Sequence, residues 1–266
     1  MYKLIALDMD GTLLNSDKQI SIENFNAIQA ARSKGVKVIL ATGRPLAGVK
    51  RYLKDLDMLS ENEYVVSFNG GLVQNCGSSE IISKTTLSFD DYRDLYELSK
   101  SLNCNIHALT DKEVLTPKHN EYTQIEADIN EIPIIESTLE ELDPNTTIVK
   151  VMFIDHKDVL DRVVRELPEY IKEKYTIVRS MPFFLEFLHK TVNKGFGVSI
   201  VADKLGISKD EVICMGDAEN DLHMLEYAGL GVAMENAFPK VKEIANYITL
   251  SNDNSGVAHV INTFVL

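Results

Sequence analysis

The two ends of the chain alternate short apolar stretches with amphipathic ones, and this alternation restricts the possible folds more than any other feature. Residues 3–9 (KLIALDM) and 36–42 (VKVILAT) have the pattern of buried strands, and residues 21–35 between them carry apolar side chains at helical spacing. The same alternation returns in residues 193–264. Strands that alternate with helices along a chain form a parallel sheet, so the sequence predicts an α/β fold.

The middle of the chain has a different pattern. Residues 83–188 mix strands such as NIHALT and TIVKVMFID with charged helices, which is typical of an α+β domain. We therefore predict a core of residues 1–82 and 189–266, with a Rossmann-like parallel sheet and helices on both faces. Residues 83–188 would form an inserted α+β cap domain, with hinges near Ser83 and Leu188.

Charge and composition exclude several classes of partner. The chain has 27 Lys and Arg against 40 Asp and Glu, a net charge of −13, which argues against a nucleic-acid or membrane surface. Its start lacks the cationic and apolar parts of a signal peptide, and no run of about 18 apolar residues occurs. We therefore expect a cytoplasmic protein. The sequence carries no signal for the oligomeric state.

Two carboxylates, Asp8 and Asp10, directly follow the first apolar strand. Burying them costs several kcal/mol unless a positive charge lies beside them. The carboxyl ends of parallel strands form the usual binding edge of such a sheet. Other residues of functional character are expected at this edge, namely Thr42, Gly43, Arg44, Asn193, Lys194, Gly195, Asp217, Asn220 and Asp221. A hard cation with oxygen ligands, most naturally Mg²⁺, would neutralise several carboxylates in one cleft.

Four sequence signatures occur in an order that points to a known family. They are DMDGT after the first strand, Thr42 at the end of the second, Lys194 at the start of a later helix, and the segment GDAENDLHM. Together they resemble the haloacid dehalogenase superfamily of phosphohydrolases. The long insertion resembles the α/β cap of the Cof-type sugar phosphatases. The resemblance covers nearly the whole chain.

The resemblance implies a covalent mechanism. Asp8 would be the nucleophile that becomes phosphorylated. Asp10 would protonate the leaving oxygen and later activate water. Asp8, Asp217 and Asp10, the last through its backbone carbonyl, would bind Mg²⁺. Asp221 would orient these ligands, although some relatives use that position to bind the metal directly.

The resemblance also implies a cradle for the transferring phosphoryl group. It would consist of the backbone N–H groups near Met9 and Gly43, the Thr42 hydroxyl, the Lys194 ammonium and the Asn220 amide. The structural alternative for Thr42 is an N-cap of the next helix, and the two roles are compatible.

Three further residues have two readings each. Arg44 contacts phosphate or substrate, or it pairs with an acidic side chain. Asn69, in the segment FNGG, contacts a ligand or forms the turn of a hairpin. Glu186, which follows Phe183 and Phe184, belongs to a buried strand or contacts the substrate. The residues alone do not decide between these readings.

The sequence therefore predicts a Mg²⁺-dependent phosphatase that acts on small phosphorylated metabolites, above all sugar phosphates. A phosphotransferase or phosphomutase would use the same Asp8 intermediate but transfer the phosphoryl group to a sugar hydroxyl. A haloalkanoate dehalogenase would not need the Asp10 and Mg²⁺ arrangement. A non-catalytic phosphate sensor would be expected to lack Asp8 or Asp10, and both are present.

Overall fold

The computed structural model describes residues 1–266, which form two compact units. The core unit comprises Met1–Lys84 and Asn193–Leu266, and the inserted unit comprises Thr85–Val192. The boundaries predicted after residues 82 and 188 need correction, because each lies inside a strand. Backbone hydrogen bonds keep the strands Ile81–Lys84 and Phe184–His189 whole, each within one unit.

The core unit contains an eight-stranded sheet. Its strands are β1 (Leu4–Leu7), β2 (Lys37–Ala41), β3 (Tyr64–Ser67), β4 (Leu72–Asn75) and β5 (Ile81–Lys84), followed after the inserted unit by β12 (Val212–Gly216), β13 (Leu230–Ala233) and β14 (Tyr247–Ile248). The inserted unit contributes β6 (Asn105–Leu109), β7 (Val114–Thr116), β8 (Ile134–Glu136), β9 (Lys150–Ile154), β10 (Tyr175–Met181) and β11 (Phe184–His189).

Ten α-helices accompany these strands. The core unit has α1 (Ile22–Ser33), α2 (Leu46–Asp55), α7 (Lys194–Leu205), α8 (Leu222–Tyr227), α9 (Pro239–Ile244) and α10 (Gly256–Phe264). The inserted unit has α3 (Phe89–Ser101), α4 (Glu121–Asn130), α5 (Lys157–Glu166) and α6 (Glu169–Lys174). None of the helices has the length and apolar character that a membrane span requires.

The core sheet has the strand order β14-β13-β12-β1-β2-β3-β4-β5. The strands from β14 to β3 run parallel, whereas β4 and β5 are antiparallel to their neighbours. All four residues of β1 are fully buried although they alternate between the two faces, so both faces of the sheet are covered there. This confirms the predicted α/β class. Leu7, the last residue of β1, pairs with Met215 of β12 and Leu40 of β2.

The inserted unit is built on a six-stranded, mostly antiparallel sheet in the order β10-β11-β9-β6-β7-β8. An apolar cluster joins this sheet to α3, α5 and α6. Glu186 lies on β11, and its carboxylate is 3.2 Å from the Nζ atom of Lys150, which is 3.0 Å from Glu126. All three side chains are buried. The buried-strand reading of Glu186 is therefore the one that the structure shows.

Candidate active site

Three neighbouring parallel strands bring two aspartates and a threonine to one edge of the core sheet. Asp8 follows β1, Thr42 follows β2 and Asp217 follows β12. Leu7 pairs with Leu40 and Met215, so Asp8 is level with the last residues of β2 and β12, and Thr42 and Asp217 follow one position further along. The site thus arises from strand register, because each functional residue is the first one after its strand.

Lys194 supplies the positive charge that the buried carboxylates require. It is the first residue of α7 and is fully buried, and its Nζ atom donates hydrogen bonds to Asp8 Oδ1 at 2.5 Å and to Asp221 Oδ1 at 2.6 Å. Burial alone would lower the pKa of Lys194, but the adjacent carboxylates of Asp221 and Asp8 hold this pKa above its ordinary value. These contacts favour the ammonium form of Lys194.

Asp217 lies against the turn that follows β1. Its Oδ1 accepts a hydrogen bond of 3.0 Å from the Thr12 hydroxyl. Gly11 has φ +87°, and a Cβ atom at this position would lie 2.4 Å from Asp217 Oδ2, so only glycine allows this approach. Burial and the nearby charge of Asp221 raise the pKa of Asp217 to about 6.

Both carboxylate oxygens of Asp221 already accept hydrogen bonds. Its Oδ2 accepts from the backbone N–H groups of Asp217 (2.9 Å) and Ala218 (3.0 Å), and its Oδ1 accepts from Lys194. The side chain is fully buried. Asp221 therefore holds Lys194 and the start of the Asp217 loop in place.

Asp8, Asp217 and Asp221 form a donor set that suits a hard cation. One carboxylate oxygen of each lies within 4.8 Å of the others. Burial and the charge of Asp221 also raise the pKa of Asp8, against the opposing effect of Lys194, so the single ammonium leaves negative charge uncompensated. Asp221 accepts three hydrogen bonds, whereas Asp8 and Asp217 each accept one such bond, from Lys194 and Thr12, so Asp8 and Asp217 are the side chains that fit metal binding best.

The Asp10 carboxylate faces a separate pair of cations. Arg44 donates to it through Nε (2.9 Å) and Nη2 (2.8 Å), and Lys18 Nζ lies 2.8 Å from Oδ1. Partial burial would raise the pKa of Asp10, but the hydrogen bonds from Arg44 and Lys18 hold it below its ordinary value. The metal-compatible cluster of carboxylates does not include the Asp10 side chain. The group of Asp10 that was predicted to bind the metal is its backbone carbonyl. Of the two readings of Arg44, the structure shows the ion pair.

The residues predicted to bind phosphate lie close to one another. The Thr42 carbonyl accepts from Asn69 N–H at 2.8 Å, and the Asn69 side-chain oxygen accepts from Asn220 Nδ2 at 3.0 Å. A Cβ atom at Gly43 would lie 3.3 Å from the Asn69 amide nitrogen. Asn69 also has φ +56° in the turn between antiparallel β3 and β4. It therefore forms the hairpin turn and connects the loops of this edge.

Further predicted groups flank this cluster. The Thr42 hydroxyl accepts from the Arg44 backbone N–H at 3.2 Å. Met9 follows Asp8 in the sequence, and its side chain is buried. Two residues that contact the site were missed in the sequence, Lys18 and Asn236. Asn236 follows β13, another strand that ends at this edge, so the strand-end rule could have found it. Lys18 lies in a turn and carries no comparable signal.

The core unit is a parallel sheet whose binding edge holds buried carboxylates around a lysine, an arrangement that suits a phosphatase. The family described as haloacid dehalogenase-like hydrolase matches residues 5–261. The chain therefore belongs to the haloacid dehalogenase-like hydrolase family, as the sequence signatures predicted.

Relatives and solved structures support a phosphatase. A Bacillus subtilis protein named "Putative phosphatase YxeH" is 46% identical over 100% of this chain and 99% of its own length. The B. subtilis 5-amino-6-(5-phospho-D-ribitylamino)uracil phosphatase YcsE is 33% identical over 99% of this chain and 96% of its own. The structure of a haloacid dehalogenase-like hydrolase from Bacteroides thetaiotaomicron superposes with a TM-score of 0.86 at 35% identity, covering 98% of this chain and 99% of that one.

Proposed function

We propose that the protein is a Mg²⁺-dependent phosphatase that hydrolyses phosphate monoesters of small sugars and polyols through a phosphorylated Asp8. The observation that carries this proposal is the placement of Asp8 between the Lys194 ammonium and the Asp217 carboxylate at the binding edge of the sheet. The relative YcsE is named for a substrate whose phosphate sits on a ribityl chain, a polyol, which supports this substrate class.

The reaction would proceed in two displacements at phosphorus, first by Asp8 and then by water. An Asp8 carboxylate oxygen attacks phosphorus, the bond from phosphorus to the ester oxygen breaks, and Asp10 gives the departing alkoxide its proton. In the second step Asp10 takes a proton from water, which attacks the phosphoryl group and restores the Asp8 carboxylate. The hydrogen bonds from Arg44 and Lys18 favour the Asp10 carboxylate, the form that the second step uses. Asp10 must therefore enter the first step with a proton taken up from solvent or kept from the water of the previous turnover.

Several groups stabilise the negative charge that builds up on the phosphoryl oxygens. Lys194 contributes its ammonium, and Thr42, Asn220 and the backbone near Met9 and Gly43 contribute hydrogen-bond donors. Bound Mg²⁺, held by Asp8, Asp217 and the Asp10 carbonyl, would add further charge neutralisation. We propose small phosphorylated metabolites as the substrates and a cytoplasmic location. The net charge of −13 argues against a nucleic-acid or membrane partner.

We expect metal removal to abolish turnover. EDTA should stop phosphate release from p-nitrophenyl phosphate, and excess Mg²⁺ should restore it. Ca²⁺ should not restore it, because Ca²⁺ is larger and takes more ligands than this compact set of oxygens offers. The measurement is a steady-state rate after each addition, with Zn²⁺-free buffers as a control for trace metals. Full activity in excess chelator would contradict the metal assignment.

A substrate screen tests the proposed class. Sugar and polyol monophosphates should give free inorganic phosphate faster than nucleotides or flavin mononucleotide do. We propose that the inserted unit selects the substrate, so Phe183→Ala should change the order of the substrates more than it changes the Mg²⁺ requirement. Loss of one contact would alter the ratio of kcat/KM between two substrates by roughly 10-fold to 200-fold. Recovery of the phosphoryl group on a sugar, without free phosphate, would show a phosphotransferase instead.

A further inference from the structure

Asn236 occupies a position between two loops of the active site. It lies in the segment Met234–Phe238, which follows β13. Its side-chain Nδ2 donates a hydrogen bond of 2.8 Å to the backbone carbonyl of Gly11, in the turn after β1. Its Oδ1 accepts a hydrogen bond of 3.0 Å from the backbone N–H of Asn252. Both ends of the amide are therefore used, and the side chain has one defined orientation.

The same segment holds the backbone of the Asp217 loop. The N–H of Phe238 donates to the Asp217 carbonyl at 3.0 Å, and the N–H of Met234 donates to the Gly216 carbonyl at 3.1 Å. Residues Met234–Phe238 thus connect the turn that carries Gly11 with the loop that carries Asp217. These two loops are distant in sequence and meet at the carboxylate of Asp217.

The contact between the two loops leaves little freedom. The Gly11 Cα lies so close to the Asp217 carboxylate that an added Cβ would be 2.4 Å from Oδ2, and the next residue, Thr12, donates to Oδ1. A shift of the Gly11 carbonyl would therefore also move the Gly11 Cα and the Thr12 hydroxyl, which contact the Asp217 carboxylate. Small shifts matter for Mg²⁺, which requires near-ideal octahedral geometry.

We propose that Asn236 is a positioning residue for the metal site: by holding the Gly11 carbonyl, it fixes the Asp217 carboxylate in the orientation that binds Mg²⁺. This inference rests on the metal site proposed above. Asn236 does not itself contact substrate or metal. Removing a direct hydrogen-bond partner of a metal ligand commonly changes metal affinity by about 10-fold to 100-fold. Asn236 acts one contact further out, through Gly11, so we expect the lower end of this range.

Asn236→Ala tests this role by direct Mg²⁺ titration in a calorimeter, without substrate. The dissociation constant should rise by about 10-fold, while the melting temperature changes little because the side chain is exposed. Asn236→Leu, which keeps the side-chain size but has no hydrogen-bonding groups, should show the same loss. At saturating Mg²⁺ both variants should approach the KM of the wild type for p-nitrophenyl phosphate.

Ser16→Ala is the matched control. The Ser16 hydroxyl donates to Asp253 Oδ2 at 2.8 Å and so connects the next turn along the chain with the same C-terminal region, but it lies outside the Gly11 and Asp217 contact. Its Mg²⁺ affinity should equal that of the wild type. Unchanged Mg²⁺ affinity in Asn236→Ala or Asn236→Leu, or an equal loss in Ser16→Ala, would overturn the role of Asn236. Absence of Mg²⁺ binding by the wild type would overturn the metal site together with it.

Discussion

Asp8→Asn should lower kcat by at least about 10⁴-fold, because the amide that replaces the carboxylate is a poor nucleophile and cannot form the phosphoryl intermediate. The fold should persist, since Lys194 keeps its hydrogen bond to Asp221. The measurement is phosphate release at saturating Mg²⁺, together with thermal unfolding to confirm that the variant is folded.

A second readout separates the loss of chemistry from a loss of substrate binding. Beryllium fluoride with Mg²⁺ mimics a phosphorylated aspartate, and at 100 times its dissociation constant it should stabilise the wild type by about 2.7 kcal/mol. Asp8→Asn should lose this stabilisation. Asp17→Asn, at an exposed position in the same part of the chain, is the matched control and should retain both activity and stabilisation. Near-normal turnover by Asp8→Asn would refute the covalent mechanism.

Lys194→Met should have the largest effect on stability. The methionine fills a similar space but leaves the carboxylates of Asp8 and Asp221 buried without their cation. Breaking a buried ion pair by removing one partner costs about 3–5 kcal/mol. Turnover should fall as well, by on the order of 10²-fold to 10³-fold, because a donor to the phosphoryl oxygens is lost. Chemical denaturation measures the first effect and initial rates measure the second.

A double variant distinguishes these two effects. Lys194→Met with Asp221→Asn removes the uncompensated charge, so part of the free energy of unfolding should return while turnover stays low. Lys204→Met lies on the same helix at an exposed position and should change neither quantity. Wild-type stability in Lys194→Met would show that the buried carboxylates do not depend on this ammonium, and the electrostatic account of the site would then fail.

Local patterns in the sequence were sufficient to predict the architecture of the core unit. The period of the apolar residues distinguishes strands from helices, and their alternation requires a parallel sheet. Since the carboxyl ends of parallel strands lie at one edge, the residues after β1, β2 and β12 were expected to meet. The structure places Asp8, Thr42 and Asp217 at the ends of these three adjacent strands. The signatures around them were also sufficient for the family, which residues 5–261 match.

The side-chain partners within the site were decided only by the tertiary structure. Asp10 lies two positions after Asp8, yet its carboxylate pairs with Arg44 and Lys18 and not with the metal-compatible cluster. The sequence is equally compatible with an Arg44 that binds phosphate. Hydrogen bonds and ion pairs depend on distances of a few tenths of an ångström, which the spacing of residues along a chain does not specify.

In the inserted unit, too, the sequence predicted the class of fold, whereas the side-chain contacts became known only from the tertiary structure. Its mixed pattern predicted an α+β domain, but Glu186 could be assigned to a buried strand only once its carboxylate was seen beside Lys150 and Glu126, residues on two other elements. Asn236 and Gly11 are likewise 225 positions apart, and nothing in either segment indicates the other. Strand and helix periods are properties of neighbouring residues and can be recognised in the sequence, whereas these contacts exist only because the folded chain brings distant segments together.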